Sequence, residues 1–159
     1  MFNLLIKMKA SVQTHNALCA KLAGNGLRAT RQREVVYSVI LGKRDHPTAE
    51  EIFSRVKARL SGISLATVYN CLETLVQCGL VRQVNFERES TRYCPNLSEH
   101  AHFHDDSTGR IHDIELPADT TSHLRRLLPR GFEAASVELS FRGRARTAAL
   151  CRELDKQAT

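Results

Sequence analysis

Apolar positions in the first half of the chain recur at helical spacing, and small polar or glycine residues interrupt them. Val12, Ala17, Leu18 and Leu22 mark a helix over residues 11–23, which Gly24 and Gly26 stop. Thr30 is placed to cap a second helix, with Arg33 and Glu34 in its first turn. Val35, Val36, Val39, Ile40 and Leu41 form its buried face, and Gly42 closes it. After His46-Pro47, Thr48 and Glu51 have the spacing of a capping box, and Ile52, Val56 and Leu60 give a third helix ending at Gly62. Ser64 caps a fourth, carried by Leu65, Val68, Leu72, Leu75 and Val76 and ended by Cys78-Gly79.

The period then shortens. Leu80 to Phe86 and Thr91 to Cys94 read as two strands joined by the polar turn Glu87-Arg88-Glu89-Ser90. Helices followed by a β-hairpin predict a winged helix-turn-helix, in which the helix before the hairpin enters the major groove of DNA. Beyond Pro95, histidines and acids cluster from Glu99 to Asp113. Ile111 to Leu116 reads as a strand, Pro117 to Leu128 as a helix, Ala135 to Phe141 as a strand and Ala145 to Leu154 as a final helix. The expected class is α+β. A winged-helix domain over 1–93, with residues 1–10 as a flexible tail, precedes a small αβ domain over 94–159. Two or three strands make a poor core alone, so the second domain is expected to dimerise.

Charge sharpens this division. The net charge is +6. Residues 1–93 hold 14 Lys and Arg against 7 Asp and Glu, whereas residues 94–159 hold 9 against 10. The positive half is therefore the one expected to meet a polyanion. Five cysteines form no C-x-x-C pair, and no stretch has the length and apolarity of a secretory signal or a membrane span. The expectation is a cytoplasmic chain with reduced thiols and no membrane partner. Met8 is an alternative start to Met1.

Candidate nucleic-acid contacts fall at two helix starts and in the hairpin. Arg28, Arg31 and Arg33 crowd one helix N-terminus, where both guanidinium groups and free backbone N–H groups favour phosphate. Ser64, Thr67, Tyr69 and Asn70 lie along the start of the fourth helix. Tyr69 suits thymine methyls or a phosphate, and Asn70 suits adenine. Arg82, with Arg88 and Arg92, is assigned to phosphate contacts from the hairpin. The densest chemical signal is His100-x-His102-x-His104. Alternate residues of a strand share a face, so imidazoles two apart can meet one ion. Cys71 and Cys78 have the spacing of a helical core, and Cys19 and Cys151 carry no signal.

Three segments carry a family resemblance: His46-Pro47-Thr48-Ala49-Glu50-Glu51-Ile52, Ser64-Leu65-Ala66-Thr67-Val68-Tyr69-Asn70 and Gly79-Leu80-Val81. Glu99-His100-Ala101-His102 and Gly109-Arg110-Ile111 through Asp113 extend it. Together they resemble the ferric uptake regulator family over residues 12 to 141. The resemblance implies a homodimeric, metal-responsive repressor of palindromic operator DNA. Arg28 would reach the minor groove and Tyr69 would read bases. It also maps a regulatory metal site onto His46, Cys94, His100, His102 and Asp113, with one divalent ion per chain. An ion joining the reading head to the second domain would set the spacing of two recognition helices, which DNA requires to be about 34–36 Å or a multiple.

The chain also departs from the family pattern. Cys94 stands where iron and peroxide sensors carry a carboxylate, and a thiolate with imidazoles favours zinc or another soft ion. Asp113 matches the peroxide sensors, so zinc, iron and manganese all stay open. The two C-x-x-C pairs of the family's structural zinc are missing. Asp105-Asp106-Ser107-Thr108 and Phe141-Arg142-Gly143-Arg144 occupy those places, so the four-cysteine zinc is expected to be absent. In this respect the chain is similar to the iron response regulator branch. On a regular strand His112 faces away from Asp113 and is assigned to solvent. The alternatives are a haem-responsive regulator built on Cys94-Pro95, a metal-independent regulator and a small metalloenzyme. The chain lacks H-E-x-x-H and a candidate general base, and no catalytic residue is assigned.

Overall fold

The computed structural model describes residues 2–145, with side chains from residue 13 onward. The chain divides between Leu97 and Ser98 into two compact units.

In the first unit, α1 (Phe2–Gly24), α2 (Arg31–Gly42), α3 (Ala49–Lys57) and α4 (Leu65–Gln77) precede a hairpin of β1 (Arg82–Val84) and β2 (Arg92–Cys94). The caps read from sequence are made. Thr30 accepts from Arg33 N, Ser64 accepts from Thr67 N, and Thr48 and Glu51 complete both halves of a capping box. Glycine acts where the backbone turns left-handed. Gly79 has φ +64, and Gly79 N and Leu80 N close back on Val76 O and Leu75 O. The α1 helix starts at Phe2, ahead of its apolar pattern. The α3 helix stops at Lys57 rather than Gly62, because Arg59 N and Leu60 N both turn back onto Val56 O. One core joins the helices to the hairpin: Leu18 and Leu22, Val36 and Ile40, Ile52 and Val56, Val68, Leu72 and Leu75, with Val81 and Tyr93. The helix-turn-helix is α3 and α4, and the hairpin is its wing.

The segment that starts α3 is tied to its surroundings at every residue. Arg55 donates two bonds to the Asp45 carboxylate at 2.8 and 2.7 Å, and Lys43 approaches it at 2.7 Å. Arg92 Nη1 donates to His46 O at 3.1 Å, and Tyr93 N donates to Pro47 O at 3.0 Å. Thr48 bridges Arg92 in antiparallel fashion.

In the second unit, β3 (His100–Asp105), β4 (Ile111–Glu115), α5 (Thr120–Arg126) and β5 (Ser140–Gly143) form a sheet ordered β4-β3-β5 with one helix. The β3–β4 pair is antiparallel and the β3–β5 pair parallel. Helix α5 is shorter than expected because Thr120 N closes a turn on Pro117 O, so Pro117 precedes the helix instead of opening it. Strand β5 starts at Ser140, not Ala135, since the ladder with β3 runs only from His102↔Ser140 to Asp105↔Gly143. Residues 146–154 of the helix expected over 145–154 lie outside the described residues. Among those described, no helix is long and apolar enough to cross a membrane.

The Asp45 cluster gives a test. Burial raises the Asp45 carboxyl pKa, but hydrogen bonds from Arg55 and Lys43 outweigh it and hold it below the usual carboxylate range. A depressed folded-state pKa contributes stability above the unfolded value that is lost as pH falls through the folded one. Asp45→Asn is expected to cost about 1–2 kcal/mol in urea denaturation at pH 7. The gap to the parent should close as pH falls below the ordinary aspartate range.

Candidate functional site

The second unit gathers three ligand-type side chains on one face of its sheet. Register places His102 opposite Asp113, with His100 two residues along β3. His100 Nε2 lies 3.0 Å from His102 Nε2, and Asp113 Oδ1 lies 3.5 and 3.6 Å from those two nitrogens. Donors roughly 2.0–2.1 Å from a tetrahedral ion stand about 3.3 Å apart, so these three atoms are already spaced as its corners. The tautomer also fits. His100 Nδ1 lies 2.8 Å from Ser98 O. A carbonyl accepts only, so Nδ1 carries the proton and a neutral His100 turns an Nε2 lone pair towards the other two groups.

The first unit supplies a second pair. His46 is 2% exposed and takes φ +51 just before α3. Cys94 is fully buried at the end of β2, and the two residues offer ligand atoms within 4.8 Å of each other. Asn96 N donates to Cys94 Sγ at 3.4 Å. The pairing of His46 with Cys94 comes from the wing's bond to the segment ahead of α3.

Two further histidines lie on β3 and β4. His104 Nδ1 lies 3.3 Å from Asp106 Oδ1, which also accepts from Arg142 Nε at 2.7 Å. His112 pairs with Phe103 on the face opposite Asp113. The expectation that His112 is solvated is wrong. It is 4% exposed.

The turn between β3 and β4 holds a feature the sequence reading missed. The Asp105 carboxylate is buried and accepts from Ser107 N (2.9 Å), Ser107 Oγ (2.6 Å) and Thr108 Oγ1 (2.8 Å). Gly109, at φ +66, donates its N–H to Asp105 O at 2.8 Å. Asp105 and Thr108, where the resemblance expects a cysteine pair, instead close the turn by hydrogen bonds. The D-x-S-T spacing was the available signal.

On the reading head, Tyr69 is 44% exposed and Asn70 is exposed beside it. The Tyr69 hydroxyl donates to Glu50 Oε1 at 2.8 Å. Ser64 and Thr67 share a 2.8 Å hydroxyl bond while Ser64 caps the helix, so both are partly committed to α4 itself. Arg28 and Arg31 are exposed, and Arg33 Nη1 donates to Arg28 O at 2.7 Å. Arg82 Nη2 reaches Leu97 O at 2.7 Å. Arg92, assigned to phosphate by its place in the hairpin, is instead turned inward. It lies on His46 O and 3.8 Å from Glu51, because β2 runs beside the start of α3.

A winged helix-turn-helix is thus followed by a small sheet domain with clustered histidines. The family model described as "Ferric uptake regulator family" matches residues 24–142. A peroxide-responsive repressor of Staphylococcus epidermidis is 32% identical over 98 residues, which is 62% of this chain and 65% of that protein. The chain thus spans about 65% of the length of that relative. The solved ferric uptake regulator of Helicobacter pylori, described as having three functional metal binding sites, superposes with TM-score 0.70. It is 20% identical and covers 86% of this chain and 91% of that one. A zinc-bound manganese uptake regulator gives TM-score 0.60 at 25% identity, covering 79% and 96%. The chain belongs to the ferric uptake regulator family.

The Asp105 turn makes its own prediction. Hydrogen bonds from Ser107 and Thr108 lower the Asp105 pKa to about 2. Its contribution is complete above the ordinary aspartate range and fades as pH falls towards about 2. Asp105→Asn is expected to lower the Tm at pH 7. A Tm unmoved by the substitution would contradict the account.

Proposed function

We propose that this protein is a metal-responsive transcriptional regulator that binds palindromic operator DNA as a homodimer, with one divalent ion per chain as co-repressor. The regulatory ion is assigned to His46, Cys94, His100, His102 and Asp113. The observation that carries this reading is the convergence of His100 Nε2, His102 Nε2 and Asp113 Oδ1 at 3.0–3.6 Å, with the His100 tautomer fixed for ligation.

His46 and Cys94 would be the further donors that close the coordination shell of this three-atom cluster. A set of thiolate, imidazole and carboxylate suits zinc first, and iron ahead of manganese. When bound, the ion would link the reading head to the second unit through its ligands. His46 would pass that link to α3, whose N-terminus it precedes. DNA contacts are assigned to Tyr69 and Asn70 for bases. Arg28, Arg31 and Arg33 are assigned to phosphates, as is Arg82, and Ser64 and Thr67 flank the helix start. Dimerisation is assigned to the second unit, which exposes Leu127, Phe132 and Phe141 and leaves β5 at a sheet edge.

The test uses a duplex selected by the metal-loaded protein from a random pool. Chelation is expected to weaken binding about 10–100-fold, and one divalent ion per chain should restore it. His102→Ala should bind weakly with or without metal. Raising salt should weaken binding steeply through counterion release. Binding that ignores chelation would contradict the co-repressor, and a flat salt response would contradict the phosphate contacts.

A further inference from the structure

We propose that Glu50 is a positioning residue for DNA reading: it accepts the hydrogen bond of the Tyr69 hydroxyl, withholds that hydroxyl from phosphate and presents its oxygen to an amino group on a base edge. The proposal rests on the reading above, in which α4 enters the major groove.

Tyr69 on α4 and Glu50 on α3 meet across the helix-turn-helix through a 2.8 Å bond between two exposed side chains. Water competes for both groups there, so the bond holds because it is charge-assisted. Its acceptor is well placed. Glu50 is the second residue of α3, where free N–H groups and the helix dipole favour a carboxylate. The bond from Tyr69 holds Glu50 below the usual carboxylate range, and the bond to Glu50 pushes the Tyr69 phenol up. The buried Tyr93 lies within electrostatic reach of both. The pair therefore stays carboxylate and neutral phenol across the physiological range.

Consequences follow from counting donors. A phenol has one proton and two lone pairs. With its one O–H donated to Glu50, the Tyr69 oxygen is left as an acceptor only, and phosphate oxygens, which also only accept, cannot bond to it. Major-groove donors are the adenine N6 and cytosine N4 amino groups, and the ring remains free to cover a thymine methyl. The Glu50 charge also repels backbone phosphate brought close to the tyrosine. Such an acid weakens binding to all DNA while sharpening the choice among sequences.

The experiment measures dissociation constants of the metal-loaded protein for its pool-selected duplex and for a scrambled duplex of equal length. The variants are Glu50→Ala, Glu50→Gln, Tyr69→Phe and the Glu50→Ala/Tyr69→Phe pair. Glu50→Ala is expected to bind the scrambled duplex several-fold tighter and to lower the selected-to-scrambled ratio about tenfold, roughly 1.4 kcal/mol. Tyr69→Phe should lower the ratio similarly, and the double variant no further than either one. Glu50→Gln, whose amide oxygen still accepts the hydrogen bond, should keep most of the ratio. Additive losses, or an unchanged ratio in Glu50→Ala, would overturn the role of Glu50. Should Glu50→Ala unfold, Glu50→Ser carries the same comparison. A parent protein that selects no sequence from the pool defeats the DNA reading itself, which separates that failure from the failure of Glu50.

Discussion

The start of α3 is held in place by four independent contacts, and both functional surfaces of the first unit depend on it. Asp45 is gripped by Arg55 and Lys43, His46 O by Arg92, Pro47 O by Tyr93 N, and Thr48 by Glu51. Between them His46 takes φ +51, a left-handed backbone that costs a non-glycine residue about 1–3 kcal/mol and persists only when its surroundings determine it. That turn points the His46 side chain to the Cys94 end of the wing. Four residues later, the same helix start sets Glu50 under the Tyr69 hydroxyl. One rigid segment thus carries a proposed metal ligand at its head and the partner of the proposed base reader in its first turn.

The second unit contributes a different kind of order. Its histidine pair is set by strand register, which fixes His100 and His102 on one face and brings Asp113 across from β4. The neighbouring turn needs no thiolates, because the Asp105 carboxylate satisfies three donors at once. In the proposed function, an ion is required for coupling the units, while folding of the second unit's central turn is left to hydrogen bonds.

Much of this was legible in the sequence, for local reasons. Thr30, Thr48 and Ser64 announced their helices because capping is a contact within one turn. The H-x-H alternation announced a shared strand face. What stayed hidden depended on neighbours far along the chain. Arg92 looked like a surface arginine of a wing, and only the approach of β2 to His46 turns it inward. Glu50 carried no reading of its own, since only the packing of α4 brings Tyr69 to it. His112 looked solvated because alternation says which face a residue takes and not how exposed it is there. The ends of α5 and β5 were misjudged because Pro117 and the residues from Ala135 to Leu139 fit more than one local structure, and pairing with β3 decides the strand.

The central claim is that Cys94 and His46 join His100, His102 and Asp113 around one ion. X-ray absorption on zinc-loaded protein tests it most directly, because sulfur and nitrogen scatter at different distances, about 2.3 and 2.0 Å from zinc. The account predicts one sulfur with two or more imidazoles in the first shell, and loss of the sulfur alone in Cys94→Ser. A shell of nitrogen and oxygen only, unchanged by that substitution, would contradict it.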